Sequence, residues 1–574
     1  MRRLLSCLLL VLGTLAFAQD RTNARSMVIS PYGIVASSQV QASQAGAEIL
    51  SRGGSAVDAA IATNAALGVL EPDMNGMGGD LFAIYWEAKT GKLYGLNASG
   101  WAPKGLTIDY LKSKIVTEMP DAGIDTVTVP GAVEGWNKLH ERFGRLAWKD
   151  LFAPAIFYGE SGFAVQEFIG MDWGVAARAK LKVDPETRRV FLVHHGSVND
   201  VAPQMGEVFR NPDVAKALRL LAEGGPRVFY GGEIAKAILA TSREAGGTMT
   251  EDDLETFSAE WVEPISTTYR GWKVYELPPN GQGMAALEML NILEQFPPAK
   301  DGPLSAEELH KKIEAMKLAY ADLARYNADP RFAKIPVDGL LSKDYAKHRA
   351  ALINPQKANC ETDAGRPPAS DTTYLTAVDR EGNIVSLIQS NFSGFGSGIT
   401  VRGMGFLLQN RGALFMLDPA KPDALAGRKR PFHTIIPAFM ERGDDHIGFG
   451  IMGGANQPLA HAQFVSNVVD YGMNLQAAME TARFTVRSNF NVGCKIMIED
   501  RVPAEVRQQL TGMGHQLDVR GDFSLYMGRG QAIDHNTKTG LNFAASDART
   551  DGSAEPEFPP GIHFAGAAVT EQKR

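Results

Sequence analysis

Two adjacent threonines, Thr372 and Thr373, sit where a polar segment gives way to the run Asp371-Thr372-Thr373-Tyr374-Leu375-Thr376-Ala377-Val378-Asp379. Residues 354–370 carry Pro355, Pro367 and Pro368 and no apolar periodicity, so they read as a surface linker. The residues after the linker are β-patterned: a strand at 374–378, a turn over 379–383 and a second strand at 384–390. A hairpin closed by that turn pairs Val378 with Ile384 and, counting back, sets Thr372 opposite Ser390. Directly opposed residues have Cβ atoms about 4.5–5.5 Å apart, so the Ser390 hydroxyl is expected to reach Thr372. A slip of one residue separates them.

That placement has a chemical meaning. A threonine hydroxyl is a poor nucleophile at neutral pH, but an N-terminal threonine carries its own base, an α-amine with a pKa of about 7.7–8.0. Cutting the chain before Thr372 turns an inert hydroxyl into a catalytic one.

The chain start has Arg2 and Arg3, an apolar run to Phe17 and then Ala16-Phe17-Ala18 before Gln19, the pattern of a cleavable secretory leader over residues 1–18. The run is too short for a preferred membrane span, and no later segment is long enough. The expected product is exported, to the periplasm or beyond, without stable membrane insertion; a retained N-terminal anchor is the alternative. Cys7 leaves with the leader, and Cys360 and Cys494, a pair that could bridge, are read as free thiols. With 44% hydrophobic and 21% charged residues in 574, the composition is that of an ordinary globular protein. A net charge of −7 argues against a nucleic-acid partner.

Periodicity gives two helices within 42–70, with Ala42, Ala45, Ile49 and Leu50 on one face of the first. It also gives a hairpin of strands at 81–86 and 92–96. Ser305 and Glu308 form a capping box ahead of the stripe Leu309, Ile313, Met316, Tyr320 and Leu323. Other chemistry is weakly signalled. His194 and His195 are adjacent and point to opposite faces of a strand, so no metal is expected. Residues 394–398 are glycine-rich but lack the lysine of a phosphate loop, and no Gly-x-Ser-x-Gly elbow occurs. No cofactor is expected.

Several stretches point the same way: Ala45-Gly46-Ala47-Glu48-Ile49-Leu50, Gly53-Gly54-Ser55-Ala56-Val57-Asp58-Ala59-Ala60, Gly76-Met77-Gly78-Gly79-Asp80, Val129-Pro130-Gly131-Ala132-Val133, Glu314-Ala315-Met316-Lys317-Leu318-Ala319-Tyr320-Ala321-Asp322, Lys429-Arg430-Pro431, Gly453-Gly454 and Ala545-Ser546-Asp547. In this order they resemble the γ-glutamyltransferase (glutathione hydrolase) family of N-terminal nucleophile hydrolases. The resemblance implies an α+β fold, a four-layer αββα sandwich. It implies a precursor that cuts itself into a large subunit, 19–371, and a small subunit, 372–574, which stay together as a heterodimer. It assigns Thr372 as nucleophile, Ser390 as its hydroxyl partner and Gly453 and Gly454 as the backbone oxyanion donors. The substrate it implies is a small-molecule amide or peptide.

The chain also departs from the family pattern. Tyr374 replaces a histidine, and Phe392 an asparagine, with Asn391 one position away. Ser99 stands where an arginine would hold the substrate α-carboxylate. Arg411 and Leu414 stand where acidic or amide groups would hold its α-amine, and His433 and Thr434 replace paired serines. A cationic Arg411 repels an ammonium and welcomes a carboxylate. The loop between Leu414 and Lys429 is shorter than the family lid, which favours hydrolysis over acyl transfer. These changes, with Asn410-Arg411-Gly412-Ala413 and Pro278-Pro279-Asn280-Gly281-Gln282-Gly283, resemble a branch of acylases acting on glutaryl-like acyl amides. The expected activity is hydrolysis of γ-glutamyl or related acyl amides, with that acylase as one alternative and an unprocessed, inactive binding protein as the other.

Overall fold

The computed structural model describes residues 24–195, 198–361, 371–486 and 493–560. The leader expected at 1–18 and linker residues 362–370 lie outside the described residues. No helix among the described residues is long and apolar enough to cross a membrane.

Two seven-stranded sheets form the middle of the molecule. In chain order their strands are β1 (Val28–Ser30), β2 (Ile34–Ser37), β3 (Asp80–Glu87), β4 (Lys92–Ala98), β5 (Glu260–Val262), β6 (Ile265–Tyr269), β7 (Trp272–Glu276), β8 (Asp371–Val378), β9 (Ile384–Phe392), β10 (Ala438–Arg442), β11 (Asp445–Met452), β12 (Arg529–Asn536), β13 (Leu541–Ser546) and β14 (Ser553–Pro556). One sheet runs β1-β13-β12-β11-β10-β7-β6 and the other β14-β2-β8-β9-β3-β4-β5. Every neighbouring pair is antiparallel.

The alternation of side chains sorts each strand between two layers. On β8, Tyr374 and Val378 join Phe82, Ile84 and Trp86 of β3, Ile388 of β9, and Phe439 and Ile533 of the facing sheet in a core between the sheets. Leu375 and Ala377 face the other way, onto helices α1 (Val40–Ser51) and α2 (Ala56–Leu70). Outside the first sheet, α3 (Gly283–Leu293), α4 (Ala306–Tyr326) and α5 (Gln457–Val469) bury their apolar faces against Val274, Met440, Phe449 and Ala532. The result is the four-layer αββα sandwich that the family resemblance implied. Residues on either side of position 371 interleave within both sheets.

The helix pair at 42–70 and the hairpin expected at 81–86 and 92–96 appear, the hairpin strands running slightly longer, as Asp80–Glu87 and Lys92–Ala98. Three expectations change. The Ser305 hydroxyl accepts the Glu308 N–H at 3.3 Å, but the Glu308 carboxylate accepts the Ala299 N–H at 3.1 Å, so the capping box is half made. Cys360 and Cys494, read as free thiols, form a disulfide, with their Cα atoms 4.9 Å apart. The linker is anchored at its beginning: Ile353 and Ala358 are buried and the Ala358 N–H donates to the Met513 carbonyl at 2.8 Å. Sequence periodicity misses this because single buried residues and hydrogen bonds leave no repeating pattern.

The turn at 379–383 ties the central hairpin to the helical layer. Asp379 Oδ1 accepts the Glu381 and Asn383 backbone N–H groups at 3.1 and 3.0 Å, and Oδ2 accepts the Ala56 N–H, at the start of α2, at 3.1 Å. The Asn383 side chain bonds both carboxyl oxygens. Leaving a buried donor unmatched costs about 1–3 kcal/mol. Asp379→Ala is therefore expected to lower stability by at least about 2 kcal/mol, seen as a lower midpoint in urea unfolding.

Candidate active site

At one end of the layer between the sheets the apolar packing gives way to polar side chains. Thr372, Ser390 and Asp80 continue the inward-facing rows that carry Tyr374, Ile388 and Phe82. Val378 pairs with Ile384 as expected, and the register holds to Thr373 and Gln389. A bulge then falls between Asp371 and Thr373, leaving Thr372 at the irregularity. Thr372 Oγ1 donates to Ser390 Oγ at 3.3 Å, and Ser390 Oγ also accepts the Phe392 N–H at 2.7 Å. Thr373 faces the helical layer, away from this group, beside Leu375 and Ala377 in the alternation.

Tyr374, where the family has histidine, is a packing residue. It is fully buried, its hydroxyl lies 2.8 Å from Ser386 Oγ, and a Cβ on Gly450 of β11 would come within 2.4 Å of its ring. A Cβ on Gly448 would approach Thr376 Oγ1 to 2.9 Å. The same two-residue step carries Thr372 toward the end of β11, from which Gly453 and Gly454 continue the chain. Both glycines have positive φ, 137° and 61°, in the turn leading into α5. The Gln282 side chain donates to the carbonyls of Thr434 and Gly454 at 2.6 and 2.7 Å, linking this turn to the strand-like segment that bears His433.

Asp80 is the hub of the polar group. It pairs with Ser390 across β3 and β9. Its Oδ1 accepts the Gly100 N–H at 2.8 Å and the Gln409 amide at 2.7 Å, and its Oδ2 lies 2.9 Å from His433 Nε2. His433 Nδ1 accepts the Ile435 N–H at 3.4 Å, so the proton belongs on Nε2, where it donates to Asp80. Burial, reinforced by the charge of Arg411, pushes the His433 pKa down to about 3, against the opposing pull of Asp80. The imidazole is thus neutral at physiological pH.

Arg411 lies on the short turn Arg411–Leu414 and is fully buried. Nη1 donates to Thr434 Oγ1 at 2.7 Å, and the guanidinium lies 4.4 Å from the centre of the Phe392 ring. Its Nε and Nη2 have no hydrogen-bond partner among the described residues. Burial pushes its pKa down to about 9 while Asp80 opposes, so it is still a cation at neutral pH. A buried cation with open N–H groups is costly unless an acceptor completes it.

The other expected residues are placed differently. Ser99 is buried, and its hydroxyl accepts from the Asn280 amide at 3.1 Å, so it is engaged within the protein. Asn391 turns its side chain toward the glycine loop: a Cβ on Gly79 would lie 2.8 Å from Asn391 Oδ1. Trp101 belongs to the core against the helical layer, edge-on to Phe257. The loop after Leu414 folds down, with Phe415 and Leu425 packing on Ala102, Leu106 and Leu111. Asp80 and Gln282 lie in motifs that the sequence singled out, but with no role attached. An acidic residue opening an apolar inward-facing row was the signal for Asp80.

Away from this site, His310, Glu314 and His515 bring three ligand-type atoms within 4.8 Å. His310 Nδ1 and His515 Nε2 are 2.8 Å apart and share a proton, while Glu314 holds the Lys317 ammonium at 2.7 Å. That ammonium disfavours a second cation, so the group is read as a clamp.

A family model described as gamma-glutamyltranspeptidase matches residues 42–557. The glutathione hydrolase-like YwrD proenzyme of Bacillus subtilis (strain 168) is 37% identical over 539 residues, covering 92% of this chain and 98% of that protein. The acylase ACY 1 proenzyme of Pseudomonas sp. (strain V22) is 32% identical over 512 residues, covering 87% and 89%. The crystal structure of cephalosporin acylase from Bacillus halodurans matches with a TM-score of 0.85 at 41% identity, over 93% of this chain and 97% of that one. With the sandwich and the Thr372 hairpin, these likenesses show that the chain belongs to the gamma-glutamyltranspeptidase family and is an N-terminal nucleophile hydrolase.

Proposed function

We propose that the protein is a self-processing threonine amidohydrolase whose acyl pocket selects a carboxylate, as an acylase for glutaryl-like amides does. The observation that carries the selectivity is Arg411, buried and charged, with two nitrogens, Nε and Nη2, whose N–H groups meet no acceptor among the described residues. A carboxylate on the acyl group supplies the missing acceptor, and a substrate ammonium is repelled. The likeness to proteins named as acylases supports the same reading.

The chemistry starts from Thr372. In the precursor its hydroxyl attacks the carbonyl carbon of Asp371, the peptide C–N bond breaks, and water hydrolyses the resulting ester to leave a free α-amine on Thr372. In the mature enzyme that amine takes the hydroxyl proton as Oγ1 attacks the substrate amide, then returns it to the leaving amine. Ser390 orients the nucleophile. Gly453 and Gly454 offer backbone N–H groups to the developing oxyanion. Water then releases the acid. The products are a large and a small subunit, 19–371 and 372–574, in one heterodimer. The disulfide supports an oxidising destination, in keeping with the leader pattern at 1–18.

Hydrolysis of γ-glutamyl compounds is the second reading, favoured by the likeness to a protein named glutathione hydrolase-like. The two differ in the substrate α-amine. Tyr374 and Phe392, the two replacements that favour an inactive relative, are both engaged in packing, Tyr374 against Gly450 and Phe392 against the Arg411 guanidinium.

Thr372→Ala is expected to remain one uncut chain without amidase activity, checked by denaturing gel and amide turnover; cutting or activity in that variant contradicts the assignment. Removing a charge-assisted hydrogen bond costs about 1.5–3 kcal/mol, so Arg411→Leu should lower kcat/KM for a glutaryl anilide roughly 10- to 150-fold. The same variant should change turnover of the butyryl anilide little. If wild type prefers the γ-glutamyl anilide, the second reading replaces the first. Because the neutral amine is the base, kcat/KM should rise with pH through a midpoint at about 7.7–8.0 and level off roughly one pH unit above it.

A further inference from the structure

We infer that the Cys360–Cys494 disulfide is a covalent cross-link between the large and small subunits of the mature enzyme. This rests on the proposed cut before Thr372. Cys360 precedes the cut and Cys494 lies after it, with a sequence separation of 134. In the precursor the bond closes a loop within one chain. Once the chain is cut, it joins two.

The surroundings show a built junction. The segment ending in Cys360 lies between α4, on the large-subunit side, and residues 494–516, on the small-subunit side. From α4, Glu314 accepts the Asn359 N–H at 3.2 Å, Lys317 donates to the Asn359 carbonyl at 2.8 Å, and His310 Nε2 lies 2.8 Å from the Asn354 carbonyl. From the other side comes the Ala358–Met513 backbone bond, and α4 meets that side directly through the His310–His515 contact. The Gln516 N–H donates to the Cys494 carbonyl at 2.7 Å, fixing that cysteine at the head of its strand, Lys495–Glu499. Cys494 is buried while Cys360 is exposed, so reagents have access from one side.

The bond changes what unfolding means for the cut protein. The two subunits share both sheets, so separating them requires unfolding. Without a tether the unfolded halves diffuse apart, and recovery is bimolecular and weakens on dilution. With the tether their effective concentration is fixed by the linkage, and recovery stays unimolecular. Forming the bond removes two protons and two electrons from the thiols, which pass to a protein-disulfide oxidant of the export compartment.

The test is a denaturing gel of the purified mature enzyme, alkylated and run with and without dithiothreitol, with N-terminal sequencing of each band. The expected result is one species at the precursor position without reductant and two with it, the smaller beginning at Thr372. Cys360→Ser should give two bands in both lanes. After denaturation, its recovered activity should fall at least about tenfold more than wild type's over a hundredfold dilution. Two bands from wild type without reductant overturn the cross-link and leave the cut standing. A single band in both lanes overturns the cut, and the cross-link with it.

Discussion

Everything at the candidate site depends on the register of one hairpin. The turn at 379–383, pinned by Asp379, pairs Val378 with Ile384, and from there the period of two determines which side chains face inward. Thr372 then meets Ser390 while Thr373 turns to the helical layer. Moving the register by one residue would exchange their faces and leave Thr372 among the alanines of α2. The bulge at Thr372 and the left-handed conformation of Phe392, with φ 83°, end the regular pairing where the polar group begins. Bulges and strained residues of this kind concentrate at functional sites because they re-aim side chains that a regular strand would lock.

The second constraint is electrostatic. Asp80, His433 and Arg411 lie in a layer otherwise packed with aromatic and branched side chains. Each is buried, and each charge must be answered. Asp80 is answered by the Gly100 N–H, the Gln409 amide and the His433 ring. His433 is answered by staying neutral. Arg411 is answered by Thr434 on one edge and by the Phe392 face, leaving the N–H groups of Nε and Nη2 without an acceptor among the described residues. The proposal of a carboxylate-bearing substrate rests on that imbalance.

Much of this was legible in the sequence because it is local. Alternation and a short turn suffice to derive the hairpin and the Thr372–Ser390 contact, and small residues at helical spacing suffice for the pair at 42–70. The four-layer order required the family resemblance, since helices and antiparallel strands fit several architectures. What stayed hidden depends on long-range partners. The Ser99 hydroxyl is occupied by Asn280, far away in sequence, and the Glu308 carboxylate found Ala299 and two lysines instead of its own helix end. Cys360 and Cys494 come together only because 354–360 is anchored against α4, which no spacing reveals. Tyr374, a departure from the family pattern in the sequence, fits because Gly450, distant in the chain, leaves room for its ring.

Mass spectrometry of the protein quenched during turnover of a slow acyl amide, with the adduct mapped to a residue, tests whether Thr372 carries the acyl group. A fragment beginning at Thr372 that carries the acyl group on that threonine is expected. An uncut chain, or an acyl group on any other residue, contradicts it.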